Sequence, residues 1–218
     1  MAPFGKLYSY PGNFRVERVQ VIGAINGLEV PLDETFKMGV DNKSPEFLAK
    51  FPFGKVPAFE GADGFCVTES AAIAEYVALA GPKSEQLLGS DAKTKATISK
   101  WVFFSENELT ANMGPVAMMF YKMVPYNEEV YNASVSKSER ALKHLEAALQ
   151  GKKYLVGDSV SLADIMVSST LFFGSKFLID AEMRKDLPNT VAWLQGLTAL
   201  PEFKPLGELN MLETRMKA

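Results

Sequence analysis

The spacing of apolar positions changes partway along the chain. Residues 5–10 (GKLYSY) read as a short strand, and Pro11-Gly12-Asn13 marks the turn that ends it. From Phe14 the run FRVERVQVIGAIN sets Val16, Val19, Ile22 and Ile25 on roughly one side, the period of a helix, and Gly27 supplies the stop. Residues 28–33 (LEVPLD) form a second candidate strand, kept short and edge-like by Pro31. Ser44-Pro45-Glu46 opens a helix, with proline where the helix has no use for its N–H. VPAFE (56–60) and FCVTE (65–69), joined by Gly61-Ala62-Asp63-Gly64, predict a hairpin. A helix follows from Ser70 and stops at Gly81-Pro82. The predicted order is β-α-β-α-β-β-α.

Beyond Leu87-Leu88-Gly89 the pattern is helical throughout. Ile98, Trp101, Val102, Ser105 and Leu109 form one stripe of a long helix. Leu142, Leu145 and Leu149 continue the logic in a helix that Gly151 closes, and Val191, Leu194 and Leu197 with Trp193 mark another before Pro201. Ser161-Leu162-Ala163-Asp164 fits a capping box, with Val160 and Ile165 as its hydrophobic staple. This divides the chain into residues 1–80, a linker at 81–90, and an all-helical part at 91–218.

Composition narrows the chemistry. A formal charge of −3 argues against direct nucleic-acid binding, which usually shows as a basic domain. No stretch approaches the roughly 18 consecutive apolar residues of a membrane span, and MAPFGKLYSY lacks a signal-peptide core. One cysteine, Cys66, fits a reducing, cytoplasmic setting and excludes an internal disulfide. With His144 as the one histidine, neither a His/Cys metal site nor a Cys-His nucleophile is available, so no metal is expected. Cys66 reads as a small buried hydrophobe and His144 as a helix-surface residue. Met113, Met118, Met119 and Met123, with Phe120 and Tyr121, read as core, or else as a soft wall for an apolar ligand.

Two segments carry a family resemblance. Phe53-Gly54-Lys55-Val56-Pro57-Ala58-Phe59, followed by Thr68-Glu69-Ser70-Ala71-Ala72-Ile73, resembles the glutathione site of the glutathione transferases, and Ser161–Asp164 falls where that family keeps its capping box. The resemblance implies a thioredoxin-like α/β domain at 1–80 and an all-α domain at 91–218, with glutathione as substrate or ligand. It implies a cis peptide before Pro57 that turns the backbone of Val56 toward the cysteinyl part of glutathione. Glu69 would hold the γ-glutamyl ammonium and Ser70 its carboxylate, while Lys55 and Lys43 would meet the glycyl end. A homodimer is likewise implied. LYSYPGNFR, SPEFLAKFPFGKVPAFEGADGFCVTES, YLVGDSVSLADI and Leu187-Pro188-Asn189-Thr190 are similar, more narrowly, to the gamma subunits of translation elongation factor 1. That resemblance implies a scaffold for nucleotide-exchange subunits that retains glutathione binding. A stand-alone glutathione transferase acting on small electrophiles is the alternative.

Transferase chemistry needs the glutathione thiolate. A thiol pKa near 8.5 leaves only a few per cent ionised at neutral pH, and lowering it by about two units takes roughly 2.7 kcal/mol of preferential interaction with the anion. The family places the responsible hydroxyl close to the first helix, and here that position falls on Asn13, an amide. Arg15 nearby adds a full positive charge. Asn13 and Arg15 are therefore the candidate thiol-activating residues, although Asn13 also fits a helix cap. Tyr8 and Tyr10 alternate on the strand and read as packing residues, with Ser9 on the opposite face.

Overall fold

The computed structural model describes residues 2–216. It opens with strand β1 (Gly5–Tyr8), helix α1 (Phe14–Asn26), a 3-10 turn (Asp41–Lys43), helix α2 (Pro45–Lys50), strands β2 (Ala58–Gly61) and β3 (Cys66–Thr68), and helix α3 (Ser70–Leu79). The strands form one antiparallel sheet in the order β1-β2-β3, with Leu7 opposite Phe59 and Phe59 opposite Val67. The strand expected at 28–33 is reduced to a single parallel bridge between Leu7 and Leu32. Pro31 is the reason: without an N–H it only accepts, from Leu7 at 2.8 Å, and Asp33 must return the bond to Leu7 O at 2.8 Å. The hairpin turns as expected, with Gly64 at φ +85 and the Gly61 N–H bonded to Phe65 O at 2.8 Å.

Local signals explain the helix ends. Gly27 adopts φ +68 and closes α1, and Ser44 accepts the Phe47 N–H at 3.1 Å to open α2. Leu7, Val19, Ile22, Phe59, Ile73 and Val77 fill the space between sheet, α1 and α3. On the other sheet face, Phe47, Phe51 and Ala58 make a small second cluster that Cys66 joins from its edge, half-buried rather than enclosed.

The remainder is helical: α4 (Ser84–Leu88), α5 (Ala92–Phe104), a π-helical stretch (Ser105–Thr110), α6 (Ala111–Phe120), α7 (Glu128–Leu149), α8 (Leu162–Gly174), α9 (Ala181–Arg184), α10 (Pro188–Thr198) and a 3-10 turn (Pro201–Leu206). The segment read as a linker thus holds α4, whose Leu87 is fully buried. The long helix expected across Ile98–Leu109 is interrupted by the π stretch, yet Ile98, Trp101, Ser105 and Leu109 still bury along one side. The methionines divide: Met113 and Met119 are core, whereas Met118, Phe120, Tyr121 and Met123 are exposed. Asp164 is fully buried and accepts from Ser161 N–H (3.0 Å), Ser161 hydroxyl (2.8 Å), Leu155 N–H (2.8 Å) and Trp193 Nε1–H (3.3 Å). It ties α8 to the preceding loop and to α10. Among the described residues no helix is long and apolar enough to cross a membrane.

Candidate functional site

One cleft, about 180 Å³, collects residues from four parts of the chain: Arg15 at the start of α1, Phe53–Pro57 in the loop before β2, Thr68–Ser70 at the β3–α3 junction, and Glu106 in the π stretch. Of the residues singled out in the sequence, Arg15, Lys55, Val56, Glu69 and Ser70 line it together. Lys43 is exposed at the end of its 3-10 turn and does not line it, and neither does Asn13. Asn13 is buried at the N-cap of α1, where its Oδ1 accepts the Arg15 N–H at 3.1 Å and its amide donates to Ser9 Oγ at 2.9 Å. It fixes the backbone from which Arg15 projects. The Arg15 guanidinium lies 4.6 Å from the centre of the Phe14 ring, a cation–π contact.

The loop that presents Lys55 and Val56 is held from behind by Asn42. This buried amide accepts the Gly39 N–H at 2.7 Å and donates to Gly54 O at 2.8 Å. Gly54 adopts φ +58, and a Cβ there would meet Asn42 O at 2.8 Å, so this turn needs glycine twice over. The Val56–Pro57 peptide is cis. Phe53, ahead of it, is 83% exposed.

Glu69 is the conformational outlier of the site. It sits at φ 64 and ψ 108, a region that costs a non-glycine residue about 1–3 kcal/mol. Among the described residues its exposed carboxylate has no ion-pair partner. Ser70 follows as the first residue of α3, buried, with its hydroxyl against the guanidinium of Arg18.

Arg18, Glu106 and Asn42 are site components that sequence reading missed. Arg18 is 0% exposed, and its Nη2 donates both to Ser70 Oγ and to Glu106 Oε1, the latter at 2.6 Å. Burial pulls its pKa down to about 10, with the Glu106 carboxylate opposing the shift, so it is charged at neutral pH. A signal for it existed: Phe14, Arg18, Val21 and Ile22 are buried at i, i+4, i+7 and i+8, an arginine set into an apolar stripe. Glu106 had none, because its direction depends on the π turn. Neighbouring Ser105 anchors that turn, its hydroxyl on Met166 O at 2.8 Å and within 2.9 Å of Thr170 Oγ1.

Chemically, the cleft offers two cations (Arg15, Lys55), two carboxylates (Glu69, Glu106), a hydroxyl and a stretch of loop backbone. That set suits a small zwitterionic peptide with both charges at one end. Comparison with known proteins bears on the family. The glutathione S-transferase N-terminal domain model matches residues 3–79, and the C-terminal domain model matches 109–201. The glutathione S-transferase-like protein LUC7 of Fusarium sp is 43% identical over 216 residues, covering 99% of this chain and 98% of its own. Human elongation factor 1-gamma is 36% identical over 213 residues, covering 96% of this chain but 48% of that protein. Among solved structures, glutathione S-transferase I from mais, bound to an atrazine glutathione conjugate, superimposes with a TM-score of 0.82 at 28% identity, over 94% of this chain and 96% of that one. Small antiparallel sheet with flanking helices, helical second part, the two matched domain models and 43% identity to such a relative over 99% of the chain together establish that the chain belongs to the glutathione S-transferase family.

Proposed function

We propose that this protein binds glutathione in the Arg15–Lys55–Glu69–Ser70 cleft and joins it, through its sulfur, to an apolar electrophile. The observation that carries the reading is the convergence of those residues, with Val56 and Glu106, from separate elements onto one cleft. Glu69 and Glu106 take the γ-glutamyl ammonium, Ser70 its carboxylate, Val56 backbone the cysteinyl unit, and Lys55 the glycyl carboxylate. Arg15 supplies the positive charge that favours thiolate, with Asn13 holding its backbone. The thiol proton leaves to solvent, and a sulfur lone pair forms the new bond to the electrophilic carbon as that carbon's bond to a leaving group breaks and the group departs with the electron pair. An aromatic series runs outward from this point: Phe14 stacks on Phe173 at 4.6 Å, and Phe173 faces Tyr121 at 6.4 Å. Phe120 and Phe177, packed against Tyr121 at 5.1 and 6.4 Å, extend it into an apolar wall for the electrophile.

The decisive measurement is calorimetric titration with glutathione, then a conjugation assay with a generic electrophile. Glu69→Ala removes a charge-assisted contact of about 1.5–3 kcal/mol, so binding should weaken at least tenfold. Unchanged affinity in that variant would remove the assignment.

A homodimer belongs to the same reading. Between α3 and α5 lies an apolar groove of about 540 Å³, beside which Leu79 and Phe103 are 59% and 63% exposed. A second copy related by a two-fold axis would cover them. Light scattering at micromolar concentration should give a particle larger than the 23.9 kDa chain. The similarity to elongation factor 1-gamma supports a second reading, a scaffold for nucleotide-exchange subunits in which glutathione binding is retained. Co-migration with a purified exchange subunit on size exclusion would favour it.

A further inference from the structure

Arg18 has no place in the roles just assigned, since it does not line the cleft. Nor does it look like a packing residue. Among the described residues its Nε and Nη1 are buried without hydrogen-bond partners, so much of a charged fork is left unsatisfied. Its ion pair with Glu106 and the Phe14 ring 5.7 Å away offset part of the cost of burying this charge, and replacing such a buried pair by apolar side chains of similar volume often serves folding as well or better. What Arg18 does have is one nitrogen placed on two cleft residues that lie 52 and 88 positions away in sequence.

We propose that Arg18 is a positioning residue that sets the hydrogen-bond polarity of the cleft and so makes it selective for an α-amino acid terminus. By donating to Ser70 Oγ it occupies a lone pair there, which leaves the single hydroxyl proton of Ser70 to point at the ligand carboxylate. A cationic donor behind a hydroxyl also strengthens that hydroxyl as a donor in turn. By donating to Glu106 Oε1 at 2.6 Å it holds that carboxylate, 26% exposed, as an acceptor for the ligand ammonium. One planar guanidinium thus orients a donor and an acceptor side by side, in the arrangement that a zwitterionic head group complements. Both bonds leave Nη2, whose two N–H groups are fixed in the guanidinium plane, a direction that the freely rotating ammonium of lysine does not impose. The π stretch is part of the device, since it sets Glu106 on this side while Ser105 anchors to α8.

The inference rests on the glutathione-binding reading, and the experiment separates the two. Glutathione and butanoyl-cysteinyl-glycine, which lacks only the α-ammonium and its carboxylate, are titrated into wild type, Arg18→Lys and Arg18→Met, with thermal unfolding of each. Wild type should prefer glutathione by at least tenfold. Arg18→Met should bind glutathione about tenfold or more weakly, as expected for losing charge-assisted contacts, while its affinity for butanoyl-cysteinyl-glycine barely changes. Arg18→Lys should recover part of the preference. A folded Arg18→Met protein with the wild-type preference overturns the role of Arg18 and leaves the glutathione reading standing. Wild type that binds no glutathione overturns both. If Arg18→Met does not fold, Arg18→Lys carries the test: its preference should fall below that of wild type, and an unaltered preference counts against the proposal.

Discussion

At the scale of single residues, the site combines two kinds of local cost. One is electrostatic, in Arg18. The other is conformational, in Glu69, whose positive φ is one of two among non-glycine residues in the described chain. The strain predicts an ordering between two variants that both lack the carboxylate. Glycine reaches φ 64 without a Cβ clash, although it adds unfolded-chain entropy worth roughly 0.5–1 kcal/mol. Alanine carries the full strain of about 1–3 kcal/mol. Glu69→Gly should therefore unfold at higher urea than Glu69→Ala, while both bind glutathione equally poorly. Equal midpoints would mean that the conformation costs nothing. This scale also shows what a sequence can display. Lys55-Val56 and Glu69-Ser70 are adjacent pairs on either side of one hairpin, so the chain order itself brings them near. Arg18 and Glu106 meet across 88 positions, and nothing local to either announces the other.

At the scale of elements, ends and interruptions decide what was legible. Strands, helices and the hairpin followed from apolar period and from Gly, Pro and Ser punctuation. The second strand failed where Pro31 broke the ladder, and the π stretch escaped notice because its buried stripe keeps nearly helical spacing. Capping across elements is equally hidden. Leu187, the N-cap residue of α10, offers no side-chain bond. Instead Glu146 of α7 reaches over: Oε1 accepts from Asn189 N–H (2.9 Å) and its amide (2.6 Å), and Oε2 from Thr190 N–H (2.8 Å) and its hydroxyl (2.7 Å). Partial burial pushes the Glu146 carboxyl up, but these four bonds prevail and hold it below its ordinary 4.5. A depressed carboxyl contributes stability above its unfolded pKa and loses it as pH falls through the folded one. Glu146→Gln should thus be less stable than wild type near neutrality, by about 0.5–2 kcal/mol as for other lost caps, with the gap closing below pH 4.5. Urea titrations at pH 7 and at acid pH test this, and a gap that stays constant would show that charge is not what caps α10.

At the scale of the whole molecule, the question is whether the sheet-containing part and the helical part are separate folding units. Each has the size of a small domain, and the two family models match them separately, at 3–79 and 109–201. The packing argues for one cooperative unit. Leu7, Val19 and Phe59 near the sheet belong to the same continuous buried cluster as Leu171, Phe172 and Leu206 in the helical part. Helix α1 is the shared wall: Phe14 stacks on Phe173 of α8 with ring planes 14° apart, and Arg18 joins Ser70 to Glu106. Pulling the parts away from each other would expose that apolar surface and strand the Arg18 charge, so neither part gains by unfolding alone. A calorimetric scan at fixed protein concentration should therefore give one transition, with van't Hoff and calorimetric enthalpies in agreement. Phe14→Ala probes the wall directly, because Phe14 is 3% exposed. Truncating a buried phenylalanine costs about 3–5 kcal/mol, which for a chain of this length lowers the midpoint by roughly 6–20 °C. The transition should stay single as it moves. If it divides instead, with one part melting early and the other at the wild-type temperature, the α1–α8 contact is a docking surface between independent domains rather than the centre of a common core.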